Sequence, residues 1–279
     1  MLSPLFLSQS SRVLRSLPVL TKSFKSFSSS SMTEPQHTIP AEDLQQNLTD
    51  VTTRIHQCES MLDVPKGSIQ LVAVSKTKPA SYIKALYDVG HRHFGENYFQ
   101  ELVEKSAELP SDICWHFIGH LQSQKAKQIC QKVPNLYLLE TVDSIKLADK
   151  LNTARANVED APPLRIYIQI NTSGEESKSG LMFDGDIRPL FEHIKENCFS
   201  LHIAGLMTIG ETGNSECFHR LVECRQAAAA ILGVAVENLE LSMGMSGDFE
   251  EAIMAGSTSV RVGSTLFGPR SYPDKNTAT

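Results

Sequence analysis

A (β/α)8 barrel of the TIM type, preceded by one extra helix, is the fold this sequence predicts, and three observations predict it. Short β-rich apolar runs recur eight times from Ile69 onward. Each run gives way to a turn-like cluster and then to a segment with helical spacing, the order that produces parallel strands joined by crossover helices. The chain has 279 residues, 41% hydrophobic and 21% charged, which suffices for one barrel with a packed interior.

The elements follow in order. From Ala41 to Leu62, the residues Leu44, Leu48, Val51, Ile55, Cys58 and Met61 or Leu62 recur at steps of four and three, an amphipathic helix. The strands are expected at Ile69 to Ser75, Arg92 to Gly95, Trp115 to Gly119, Leu136 to Glu140, Leu164 to Ile170, Leu201 to Leu206, Leu239 to Met243 and Ser259 to Val262. Periodicity does not by itself close a sheet, so an open doubly wound sheet is the alternative.

The segment Met1 to Met32 differs from the rest: it carries Arg12, Arg15, Lys22 and Lys25, no acidic residue, and serines from Ser28 to Ser31. Such a leader has the composition of an organelle transit peptide, and its apolar stretches are too short to span a bilayer. It predicts a mitochondrial or plastid destination. A non-targeting tail, or a translation start at Met32, would leave the protein cytoplasmic. Residues 33–40 read as a linker, 41–273 as the barrel and 274–279 as a disordered tail.

Without the leader's basic residues the formal charge moves from −6 to −10, so a nucleic-acid backbone is not an expected partner, nor is a membrane. Cysteines 58, 114, 130, 198, 217 and 224 form no C-x-x-C pair, which fits a reducing compartment better than a disulfide framework or a zinc site.

In this architecture function collects where strands hand over to the loops that follow, and polar residues and glycines accumulate there. The first such end is Ser75-Lys76. A lysine amine among hydrocarbon is disfavoured in its charged form, and the neutral amine attacks aldehydes, which is how pyridoxal phosphate is held. The structural alternative is a strand-end lysine that extends its charge into water.

The loops after the last two strands are the usual phosphate cradle of such barrels. Ser246, ahead of Gly247-Asp248-Phe249, is expected to stand at a helix N-terminus that favours an anion, with Gly263 allowing close backbone approach and Ser264 adding a hydroxyl. An ordinary serine cap, with Asp248, Glu250 and Glu251 complementing the helix dipole, is the plainer alternative. Alternation along Ser259-Val260-Arg261-Val262-Gly263 puts Arg261 on the face opposite the valines. There it needs a partner, either a pyridine nitrogen or a barrel carboxylate. An arginine at that nitrogen would keep the ring a weak electron sink.

The runs Val72 to Lys76, His93 to Asn97, Trp115 to Gln122, Asn171 to Glu175, Gly205 to Thr208, Leu241 to Ser246 and Ser259 to Pro269 together resemble the pyridoxal phosphate homeostasis protein family. The resemblance spans about residues 41–272. It implies a barrel similar to the N-terminal domain of alanine racemase, with pyridoxal phosphate as a Schiff base on Lys76. It further implies Ser246, Gly263 and Ser264 at the phosphate, Arg261 at the ring nitrogen, and Asn97 and Met243 lining the ring. Gln124 stands where asparagine is expected, which touches only loop geometry.

The implied function is storage, buffering or delivery of pyridoxal phosphate in its homeostasis, without a dedicated turnover, to pyridoxal phosphate-dependent apoenzymes as recipients. An amino-acid racemase is the alternative. It needs a second base on the opposite ring face, which the resembled racemases take from a β-rich domain after the barrel, and only about a dozen residues follow the last strand motif here. A metal enzyme would draw on His116 and His120 or on His91 and His93, whose placement does not suit shared ligation. A monomer or weak dimer is expected.

Overall fold

Strand and helix alternate through the computed structural model, which describes residues 39–175, 177–211 and 213–269. The expected leader, most of the linker and the C-terminal tail lie outside the described residues. The strands are β1 (Gln70–Val74), β2 (His93–Glu96), β3 (Cys114–Phe117), β4 (Leu136–Val142), β5 (Leu164–Asn171), the short β6 (Leu181–Met182), β7 (Leu201–Met207), β8 (Glu240–Met245) and β9 (Ser259–Val262). The helices are α1 (Ala41–Met61), α2 (Ala80–Asp88), α3 (Phe99–Glu108), α4 (Ala126–Lys132), α5 (Ile145–Ala156), α6 (Arg188–Asn197), α7 (Glu216–Leu232), α8 (Phe249–Met254) and α9 (Ser264–Phe267).

Pairing runs β1-β2-β3-β4-β5-β7-β8-β9 and returns to β1, every pair parallel, with Gln70 opposite Ser259 at the closing seam. This is a closed eight-stranded barrel, which rules out the open sheet. The two-residue β6 pairs with β5 outside the barrel and was not foreseen: Leu181-Met182 is too short for a periodic signal. No helix among the described residues is long and apolar enough to cross a membrane.

Alternation divides each strand between two environments. Val260 and Val262 join the large apolar cluster between barrel and helices, whereas Leu138, Tyr167, Ala204 and Met207 pack together in a separate cluster.

Helix α1 begins where the spacing predicts and buries Leu44, Val51, Ile55 and Cys58. Its stripe ends one turn early. Met61 is 66% exposed, and the carboxylate of buried Glu59 turns inward to accept from the amides of Gly67 (3.0 Å) and Ile69 (2.8 Å), fixing the entry to β1. Because α9 has only four residues, α1 takes the last place in the outer ring. Asn47 donates to the Leu266 carbonyl at 3.0 Å, and Arg54 pairs with Glu250 at 2.6 Å and covers the Phe249 ring.

Candidate cofactor site

The strand ends of β1, β8 and β9 surround a cavity of 290 Å³ lined by Val74, Lys76, Lys78, Ile118, Met245, Ser246, Gly247, Asp248, Arg261, Gly263, Ser264 and Gly268. Five of the seven residues singled out in the sequence meet here: Lys76, Ser246, Arg261, Gly263 and Ser264. Lys76 is half-buried in the loop after β1. Its position opposite residues nearly two hundred places along the chain follows from the β1–β9 seam, where Val72 lies beside Arg261 and Ala73 beside Val262.

Asn97 and Met243 are not on the cavity wall. Met243 is fully buried in the apolar layer outside the barrel, and Met245 lines the cavity instead. Met243 alternates outward after inward-facing Ser242, and a register shift between Ser242 and Met245, with Gly244 at φ +94°, brings Met245 to the cavity. The conformation favours glycine, and a Cβ at position 244 would lie 2.5 Å from that of Ala252. Asn97 sits at the end of β2 with its backbone pressed against Gly119, and its Oδ1 is buried without a hydrogen-bond partner.

Ser246 corrects a second expectation. It does not cap α8: the residue ahead of that helix is Asp248, whose Oδ1 accepts from the Met245 amide at 2.6 Å. Ser246 Oγ accepts instead from the amides of Gly263 (3.1 Å) and Thr265 (3.4 Å), across the cavity. Its lone pairs thus hold the loop entering α9, and its own proton is left to donate to an acceptor in the cavity.

Arg261 is 4% exposed and donates through Nη1 to Ser242 Oγ at 2.5 Å and through Nη2 to the Thr208 carbonyl at 2.7 Å. Ser242 passes its own proton to Glu140 Oε2 at 2.6 Å, and Glu140 lies 4.0 Å from the guanidinium. A barrel carboxylate thus stands near Arg261, as one of its two expected partners, and Arg261 also borders the cavity. The network continues: His116 Nδ1 meets Glu140 Oε1 at 2.8 Å and His116 Nε2 meets His93 Nδ1 at 2.9 Å. Burial would raise the Glu140 carboxyl, but the hydrogen bond and charge of His116, with Arg261 and Ser242, hold it below the usual range. His116 is thus spent on the network rather than paired with His120, which faces Asp143.

Lys78 and Ile118 were missed. Lys78, two residues beyond Lys76, donates to the Pro269 carbonyl at 2.7 Å, and burial lowers its pKa. Its signal was its place in the same short loop, Ser75-Lys76-Thr77-Lys78-Pro79, that ends β1.

The wall carries Lys76, Lys78 and Arg261 against Asp248 alone, so it favours an anion despite that acid. A Cβ on Gly247 would meet nothing within 4 Å, while one on Gly263 would come 3.3 Å from the Val74 carbonyl, so the backbone is open on one side and closely fitted on the other. An aldehyde-bearing aromatic phosphate suits this set, with an amine on one wall, a hydroxyl donor by a glycine-rich loop, and a buried guanidinium below.

The family model for the alanine racemase N-terminal domain matches residues 46–271. The mouse pyridoxal phosphate homeostasis protein is 50% identical over 224 residues, covering 76% of this chain and 81% of its own. The protein of that name from Escherichia coli is 38% identical over 240 residues, covering 84% of this chain and 99% of its own. PipY of Synechococcus elongatus, solved with pyridoxal phosphate bound, is 33% identical with a TM-score of 0.62, covering 78% of this chain and all of PipY.

Proposed function

The chain belongs to the pyridoxal phosphate homeostasis protein family, within the alanine racemase N-terminal domain fold, and on that premise we propose that it holds pyridoxal 5'-phosphate through Lys76 and serves its homeostasis by storing, buffering or delivering it. One observation carries the reading: the closing seam of the barrel sets Lys76 in one 290 Å³ cavity with Arg261, Ser246, Gly263 and Ser264. When bound, the cofactor supplies an aldehyde that condenses reversibly with an amine, releasing water, and a ring that withdraws electrons.

Each residue has its part. Lys76 Nζ is the attachment point. Ser246 donates its free proton to the phosphate, and Ser264 stands beside it at the start of α9. Gly263 lets the anion approach the backbone. Arg261, pinned by Ser242, Thr208 and Glu140, presents a fixed positive charge to the ring nitrogen and keeps a proton off it. Such a site restrains chemistry at the cofactor while keeping its release reversible. The recipients are pyridoxal phosphate-dependent apoenzymes, and the leader of residues 1–32 directs the protein to a mitochondrion or plastid.

Borohydride reduction of the purified chain with pyridoxal phosphate is expected to leave a pyridoxyl mass on the peptide containing Lys76. Its absence, or its appearance on another peptide, overturns the reading. Exchange of amino-acid α-hydrogens in deuterated water at enzyme-like rates, lost in Lys76→Ala, would replace homeostasis with racemisation.

A further inference from the structure

We propose that Lys105 is a positioning residue for Lys76: together with Glu96 and Glu101 it ties down both peptide groups that flank Lys76 and so aims the amine into the cavity. This rests on the reading of Lys76 as the attachment point. Lys105 lies on α3, 8% exposed, and its Nζ donates to the Ser75 carbonyl at 2.9 Å, to Glu96 Oε1 at 2.7 Å and to Glu101 Oε2 at 2.8 Å. An ammonium has three protons, and all three are committed. Glu101 Oε2 also accepts from the Thr77 amide at 2.8 Å, and Glu96 Oε1 from Ser75 Oγ at 2.6 Å. The carbonyl just before Lys76 and the amide just after it are therefore joined through one lysine and its two carboxylates.

The backbone between them carries a sign of being held. Thr77 has φ +61°, in the left-handed region. A β-branched residue adopts that conformation only where its surroundings impose it, and such strain collects at functional sites. Nothing in the cavity wall requires a threonine there, since Thr77 is exposed and does not line the cavity. What the conformation does is turn the chain sharply after β1, so that Lys76 and Lys78 both reach the cavity from one short loop. The tie sits behind β1 and β2, away from the cavity, so Lys105 acts through the backbone of residues 75–77 and touches no bound molecule.

The test is the rate at which the full chain acquires a borohydride-fixed pyridoxyl group on the Lys76 peptide, measured across pyridoxal phosphate concentrations. Attachment joins Lys76 Nζ to the aldehyde carbon and releases the carbonyl oxygen as water. Lys105→Met is expected to lower the maximal rate by about tenfold to a hundredfold, the range for a reacting group displaced by an ångström or less, with the half-saturating concentration unchanged. Glu101→Ala, at a half-buried position, releases the Thr77 amide and is expected to lower the same rate. Adding Thr77→Gly to Glu101→Ala makes the turn accessible without a side-chain clash and is expected to recover part of the loss. Unchanged maximal rates in Lys105→Met and Glu101→Ala, with the wild type labelled, overturn the positioning role alone. A fall in thermal midpoint without a fall in rate does the same, and an unlabelled wild type overturns the attachment reading as well.

Discussion

Replacing Arg261 by methionine removes a buried cation while nearly keeping its length, and the cost can be worked from its contacts. The substitution deletes the hydrogen bonds to Ser242 Oγ and the Thr208 carbonyl, at 2.5 and 2.7 Å, and a charge 4.0 Å from Glu140. At that distance two unit charges attract by about 4 kcal/mol at an effective dielectric of about 20, and relief of the guanidinium's burial returns much of it. Breaking one side of a buried pair costs about 3–5 kcal/mol. Glu140 keeps His116 and Ser242 as donors, so we expect about 3 kcal/mol, a midpoint about 6–12 °C lower at this chain length.

Glu140→Gln in the Arg261→Met background removes the carboxylate left without its cation, and is expected to cost much less there than in the wild type. Thermal and urea unfolding of the four proteins of this cycle supply the coupling, expected to exceed about 1.5 kcal/mol. If the two substitutions add to within about 0.5 kcal/mol, Arg261 and Glu140 do not act as a unit and the account of the barrel interior is wrong.

Two further outcomes are open to direct measurement. Gly119→Ala would place a Cβ 1.9 Å from the Asn97 carbonyl oxygen and 2.9 Å from its Cα, all backbone atoms that cannot rotate away, so we expect a loss of about 2–3 kcal/mol in urea unfolding; a loss below about 0.5 kcal/mol would mean that β2 and β3 are not so closely apposed. Burial, with the charge of His116, lowers His91 to about 4 and His93 to about 3. The folded state thus binds fewer protons than the unfolded one between about pH 6.5 and those values, and stability falls as pH drops through that window, by at most about 1.4 kcal/mol per pH unit for each histidine. His93→Gln should flatten the acid limb of a midpoint-against-pH curve, and an unchanged limb would refute the assignment.

Local pattern carried far into this fold, and the points where it stopped have physical causes. Apolar runs such as Val72-Ala73-Val74 and Val260-Arg261-Val262 specify strands because burial and β propensity act together there, and their alternation foretold which way Arg261 faces. Lys76 was singled out at the end of an apolar strand, where a lysine reaching into water is the plainer reading, and the β1–β9 seam sets it on the cavity wall. Met243 came only from the resemblance: alternation after inward-facing Ser242 turns it outward, and the irregularity at Gly244, which a single glycine does not announce, brings Met245 to the cavity. Ser246 was assigned to the wrong helix because a hydroxyl beside a helix start in sequence caps another helix, α9, across the cavity. The tie of Lys105 to Ser75 spans thirty residues and has no local signature.

The stapling of α1 against α8 and α9, with the β1–β9 seam beside it, bears on synthesis. The barrel is shut by residues far apart in the sequence: Gln70 waits for Ser259, Asn47 for Leu266, Arg54 for Glu250. A nascent chain emerging from the ribosome has the free edge of β1 without its β9 partner until Ser259–Val262 are made. Loop closure across that span is slow, and unpaired strand edges invite association with other chains. Without β9 the edge of β1 has no strand to close against, and the loop that carries Lys76 is synthesised well before the segments that carry Ser246 and Arg261.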